Sequence, residues 1–236
     1  MLKDKDIREP LFDFLEDTYG KVRIIEEKTM GRSRADLVMI TETGLVGIEI
    51  KSDADTYARL ESQVKDYDRF YDCNIVVVGS SHGIHIKEHV PDHWGIITVE
   101  EVEGVPDFYM LRNPEQNPNF KLENKLGILW RPELSQIQQK YGMAKYKDKR
   151  KSFVIDKICG LVPDIISMDE LSETISSILF ERDYNQVEEA LSEYRKGELQ
   201  KRIEQETDPG KRLELMMEQA EKSKNFAKRK RKRRRR

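Results

Sequence analysis

Asp36, Glu49 and Lys51 are the residues whose types and spacing suggest chemistry. Twelve residues separate the aspartate from the glutamate, and one separates the glutamate from the lysine. In an extended chain, side chains alternate between faces, so Glu49 and Lys51 share one face while Ile48 and Ile50 point to the other. An acid and a base beside Val46 and Ile50 are costly to bury unless something pairs with them. A divalent cation would be that partner. Hard carboxylate oxygens on two adjacent strands suit Mg²⁺ (or Mn²⁺), which keeps several waters, acidifies them and neutralises charge on a phosphate. A nearby lysine would orient such a water or steady the developing charge. A third carboxylate would complete a metal set of Asp36, Glu49 and Glu9, with Glu16 and Glu27 as alternatives.

The elements that would position these residues are legible in the periodicity. Ile7, Leu11, Phe14 and Leu15 have helical spacing before Gly20, predicting a helix over 6–19 in which Pro10 fits only near the first turn. Val22–Ile25, Ala35–Ile40 and Leu45–Lys51 are apolar or β-branched runs, the last two separated by a turn at 41–44. Asp55 is placed to cap a helix carrying the stripe Tyr57, Leu60, Val64, Tyr67 and Tyr71, and the apolar strand Ile75–Val78 follows. The predicted order is helix, three strands, helix, strand. Gly83–Lys87 and Gly95–Val99 read as further short strands. By itself, Glu-x-Lys is an ordinary exposed ion pair; the company of Asp36 and this element order turns the reading toward a site.

With those residues in place, the chain resembles the PD-(D/E)XK nuclease superfamily, over roughly residues 5–80. The resemblance implies a restriction-endonuclease-like α/β core in which Asp36 and Glu49 bind the metal and Lys51 assists catalysis. Ala35 stands where the family usually has proline. Gln63 and Tyr67 have the Q-x-x-x-Y spacing of RecB-type members, which implies that they lie beside the catalytic centre, although Tyr67 also belongs to the apolar stripe. SRAD, EIKSDADTYARLESQ and YDCNIVVV also resemble small bacterial MmcB-like DNA-repair proteins. Ser33 and Arg34 would contact a phosphate, or Arg34 would serve a structural ion pair.

The formal net charge of −2 hides an asymmetry: Lys228–Arg236 carry +9, leaving −11 for residues 1–227. Lys228, Arg229, Lys230 and Arg231 thus open a tail attracted to a phosphate backbone without reading its sequence, or one that aids solubility or localisation. No apolar run reaches the length of a membrane span, and the charged N-terminus does not read as a leader, which predicts a cytoplasmic protein without membrane partners. No G-x-x-x-x-G-K-[ST] stretch is present, so no nucleotide cofactor is expected. The two cysteines, Cys73 and Cys159, lack metal-type spacing and are expected to pack.

Four histidines crowd between His82 and His93. Their strand-and-loop setting, with no cysteine nearby, argues for surface or rim residues near the substrate groove rather than zinc ligands. Leu134, Ile137, Gly142-Met143, Lys151-Ser152, Val154, Ile155 and Ile158 resemble a SAP motif, though apolar residues at this spacing also serve as plain core. Lys145–Lys151 add a basic patch. Ser167 and Glu170 have capping-box spacing ahead of Leu171, Ile175 and Ile178, and a further helix is expected through Val187, Leu191 and Tyr194. The expected organisation is a nuclease-like domain over 1–104, a mainly helical accessory domain over 105–206, and a charged helix with the polybasic tail over 207–236. The expected activity is metal-dependent hydrolysis of DNA in repair or defence. An RNA nuclease and a catalytically silent nucleic-acid-binding adaptor are the alternatives.

Overall fold

The computed structural model describes residues 2–182 except Ser80 and Lys147, together with Ile203, Asp208, Gly210–Arg212, Met216 and Met217. The helix expected through Val187–Tyr194 and the polybasic tail lie outside the described residues.

The fold is mixed α/β. Helix α1 (Asp4–Tyr19) is followed by strands β1 (Arg23–Met30), β2 (Ser33–Ile40) and β3 (Leu45–Lys51). A single 3-10 turn at Tyr57–Arg59 leads directly into α2 (Leu60–Phe70), and then come β4 (Cys73–Gly79), β5 (Gly95–Val102) and β6 (Val105–Arg112). Four helices follow: α3 (Leu122–Gly127), α4 (Arg131–Lys140), α5 (Lys151–Cys159) and α6 (Met168–Glu181). The six strands form one sheet in sequence order. The pairs β1–β2, β2–β3 and β5–β6 are antiparallel, while β3–β4 and β4–β5 are parallel. Parallel neighbours need a crossover, and α2 supplies it between β3 and β4.

Strand alternation sorts the core into two faces. Leu37, Met39, Ile48, Ile50, Ile75 and Val77 pack with Ile7, Leu11 and Leu15 of α1. Val38, Ile40, Leu45, Val76 and Val78 turn to the other face, where Leu60, Val64, Tyr67 and Tyr71 cover them. Side chains of α3 to α6, including Leu126, Leu134, Ile158 and Leu171, belong to that second core as well. Residue 104, where composition suggests a boundary, lies in the turn between β5 and β6, and Met1–Glu181 is one compact unit, with Arg182–Arg236 a second. The shared apolar face explains why 105–181 joins the sheet rather than standing apart.

Three local expectations are corrected. Because α1 begins at Asp4, Pro10 lies well inside it, beyond the first turn. Asp55 does not cap α2: its Oδ2 accepts from the backbone N–H and the hydroxyl of Ser52, folding the loop back on itself. Gly83–Lys87 is not a strand. Backbone bonds from His85 and Ile86 to the His82 carbonyl close successive turns, and a 3-10 turn follows at Ile86–Glu88. The alternation that suggests a strand sets an Ile84 that is 80% exposed beside a fully buried Ile86, and a turn achieves the same. At α6 the hydroxyl of Ser167 does accept the N–H of Glu170, as the capping-box spacing predicts.

Candidate active site in the fork between β2 and β3

Pairing between β2 and β3 ends at Leu37–Ile48, whereas β3 stays paired with β4 as far as Lys51–Val78. The sheet therefore forks beyond Leu37. Asp36 fills the fork, and its Oδ2 accepts the N–H of Ile50 at 2.9 Å, replacing a strand–strand bond. On its other flank β1 is also distorted. Glu27, which the register would set opposite Asp36, adopts a positive φ of 53° and is missing from the ladder. Non-glycine residues rarely take that conformation, and it accompanies sites whose surroundings fix the backbone.

Glu49 and Lys51 lie side by side on the α2 face of β3, 1% and 5% exposed. The Lys51 ammonium donates to Glu49 Oε1 at 2.6 Å and to Gln63 Oε1 at 3.1 Å. The Gln63 amide donates to the same Glu49 oxygen. Tyr67, one helical turn further on, donates its hydroxyl to Glu49 Oε2 at 2.7 Å, lies 3.1 Å from the Ile48 carbonyl, and accepts the Asp36 N–H at 3.2 Å. Tyr67 thus couples the two acidic strands. Its ring is buried against Trp94 and Tyr71, so the hydroxyl cannot swing away.

Gly47 makes this approach possible. A Cβ there would come within 2.3 Å of the Tyr71 ring and 2.6 Å of the Tyr67 ring, so any side chain would lift α2 from β3. No periodicity argument identifies Gly47; its place on the Glu49 face, two residues earlier, is the signal.

From the opposite face α1 contributes Arg8. Its Nε bonds Asp4, and its terminal nitrogens lie 3.4 Å from Asp36 Oδ1, 3.4 Å from the Asp36 carbonyl and 3.7 Å from Glu26. Burial and the Glu49 charge push the Asp36 carboxyl up to about 6, and the Ile50 N–H and Arg8 only partly oppose them. Burial, then Glu49, also holds the Tyr67 hydroxyl well above its ordinary value. Asp36 is thus buried close to the Glu49 charge, with an Arg8 that it shares with Asp4 and Glu26, a setting that a cation would relieve.

Asp36, Glu49, Lys51, Gln63 and Tyr67 are therefore brought together. Glu9 is not: it is exposed on α1, and among the described residues no three His, Cys, Asp or Glu side chains gather closely enough to hold a metal. Glu16 is exposed too, and Glu27 pairs with Arg34 at 3.4 Å, both more than half exposed. The acid of α1 whose charge does act on Asp36 is Asp4. Asp4 and Arg8 have i,i+4 spacing, a sign of helical pairing. Ser33 closes the β1–β2 hairpin opposite Met30. Two of the histidines go separate ways, His93 bonding Asp68 at 3.1 Å and His85 lying 3.6 Å from Glu88, while His82 and His89 flank Tyr57. Both cysteines are half-buried thiols that burial pushes up to about 11, as suits packing residues. No helix among the described residues is long and apolar enough to cross a membrane.

The family model described as bacteriophage P4 protein cII matches residues 1–208 of the chain. No curated protein matches it. The solved structure of Pyrococcus furiosus SfsA in complex with Ca²⁺ is similar at 14% identity, over 47% of this chain and 60% of that one, with a TM-score of 0.29. The chain spans less than two thirds of that protein's length.

Proposed function

We propose that this chain, which belongs to the bacteriophage P4 protein cII family, is a divalent-metal-dependent nuclease of the PD-(D/E)XK type that hydrolyses DNA phosphodiester bonds. One observation carries the reading: a forked sheet in which Asp36, Glu49 and Lys51 meet, with Gln63 and Tyr67 of α2 locking them in place. A structural ion pair between Glu49 and Lys51 would not need Asp36 inserted in the fork, nor a carboxyl pushed up to about 6.

The donors fit a hard cation. Asp36 and Glu49 would hold Mg²⁺ or Mn²⁺, which when bound supplies positive charge to a phosphate and acidifies water. Lys51 keeps its ammonium between Glu49 and Gln63 and donates to the charge that develops on a phosphate oxygen. Gln63 sets the direction of that ammonium. Tyr67 fixes the Glu49 carboxylate and the Asp36 backbone, so neither acid reorganises during reaction, and Arg8 does the same for the Asp36 carboxylate from the α1 side.

The test is cleavage of labelled single- and double-stranded DNA, and of RNA, with Mg²⁺ or Mn²⁺ against a chelator, comparing the intact protein with Asp36→Ala and Lys51→Ala. Metal-dependent cutting by the intact protein alone, with equal binding by all three, supports the reading. Cutting of RNA but not DNA would move the substrate class. Binding without any cutting would replace the enzyme by a protein that only grips a backbone.

A further inference from the structure

The reaction above leaves one cluster unused. Tyr57, at the start of the 3-10 turn leading into α2, packs between two histidines of the loop after β4. Its ring centroid lies 4.9 Å from His82, edge-on, and 4.2 Å from His89, tilted by 34°. Its hydroxyl donates to the His82 carbonyl at 3.2 Å. Tyr57 is half buried and His89 is exposed, so the stack has a buried root and an outward end. Ile84, on the same loop, is 80% exposed. His82 Nε2 is shielded from solvent and has no hydrogen-bond partner among the described residues.

The cluster stands near the site for reasons of topology. Strands β3 and β4 are parallel neighbours, and the loops carrying Tyr57 and the histidines both leave their C-terminal ends, where Lys51 also sits. Open sheets bind ligands at such ends. The two loops are tied together: Ser81 Oγ donates to Asp53 Oδ1 at 2.6 Å, and a Cβ on Gly79 would come within 2.2 Å of that oxygen. Gln63, which holds Lys51, lies six residues after Tyr57 on the same helical run, about 10 Å along the axis.

An outward-facing aromatic stack a short distance from a phosphate-cleaving centre matches one ligand feature, the face of a nucleobase. Every base has such a face, but a duplex hides it within its own stack. We propose that Tyr57, His82 and His89 form a stacking platform for an unpaired base flanking the scissile phosphate, so that single-stranded nucleic acid is the preferred substrate. The proposal rests on the nuclease reading for the identity of the ligand as a nucleic acid.

The experiment measures binding rather than cutting, so the two readings fail separately. The full chain is titrated, in a chelator and at salt high enough to suppress sequence-blind phosphate contacts, into a labelled thymidine oligonucleotide, an abasic strand of equal length and a duplex. Variants are His89→Ala, Tyr57→Leu and Tyr57→Phe. One lost stacked base predicts that Tyr57→Leu binds the thymidine strand about 5- to 150-fold more weakly. His89→Ala, at an exposed position where folding is not at issue, loses affinity in the same direction by less. Tyr57→Phe keeps the ring and the affinity, and the abasic strand binds the intact protein as weakly as it binds Tyr57→Leu. Equal binding of thymidine and abasic strands, or no change in both His89→Ala and Tyr57→Leu, overturns the platform while cleavage, if present, leaves the nuclease intact. Binding of no nucleic acid, together with no cutting, would remove both.

Discussion

Two buried lysine–carboxylate pairs sit at the two ends of α2, and they differ in how their charges balance. Beyond the C-terminal end, the Lys125 ammonium lies 2.7 Å from Asp72 Oδ2 and also donates to Ser172 Oγ, while Asp72 accepts the Leu45 N–H. Lys125 faces one carboxylate, and burial lowers it by more than Asp72 restores. Near the N-terminal end, Lys51 and Arg8 face Asp36 and Glu49, but Arg8 is also committed to Asp4 and Glu26. There two cations face four carboxylates, and burial first, then the Glu49 charge, push Asp36 up to about 6. The matched pair clamps α3 and α6 to the sheet. The mismatched group holds more carboxylates than cations in place, at a cost in stability that a bound cation would relieve.

Breaking each pair should separate these roles. Lys51→Ala or Glu49→Gln should reduce cleavage by about a thousandfold or more, read as single-turnover rates on folded protein. Lys125→Ala should instead cost up to about 3–5 kcal/mol of stability by stranding the partly buried Asp72 carboxylate, seen in urea unfolding, with the cleavage rate per folded molecule unchanged. A loss of activity from Lys125→Ala without a loss of stability would erase the distinction.

The mismatch also has a pH signature. In the unfolded chain Asp36 ionises near its ordinary 3.8, and in the fold near 6. Between those values the unfolded chain has released a proton that the folded one keeps, so metal-free stability should fall as pH rises through this window and level off above it. The whole term is at most about 3 kcal/mol. Asp36→Asn should therefore stabilise the metal-free protein at pH 7 and have little effect near pH 3, as thermal unfolding at the two values would reveal; the reverse sign would mean that Asp36 is well neutralised. Gly47→Ala should lose about 1–3 kcal/mol by overpacking against the Tyr67 and Tyr71 rings, and should lower cleavage along with stability because Tyr67 holds Glu49. Arg34→Ala, which breaks only the exposed pair with Glu27, should change stability by less than about 0.5 kcal/mol.

The part of the fold built on strong periodicity was legible in the sequence. The order from α1 to β4 follows from Ile7, Leu11 and Leu15, from the alternation in β3, and from the Leu60–Tyr71 stripe. The co-location of Asp36, Glu49 and Lys51 was legible too, because two strands joined by a short turn leave few registers. Arg8 and Asp4 were missed because a helix's rotation about its axis decides which of Arg8 and Glu9 faces β2, and a stripe fixes that only to within a residue. The hairpin of β5 and β6 was obscured by the Pro and Asn residues that follow it, although Val105 to Arg112 alternates. The Asp72–Lys125–Ser172 contact joins positions 53 and 47 residues apart, beyond the reach of any local pattern.

Calorimetric titration of the full chain with Mn²⁺ decides whether Asp36 and Glu49 together form the proposed cation site. Such a site should give saturable binding with one ion per chain, accompanied by more proton release near pH 5.5 than at pH 8, and loss of that binding in both Asp36→Asn and Glu49→Gln. Absence of binding to the intact protein, or binding that survives in both variants, would contradict it.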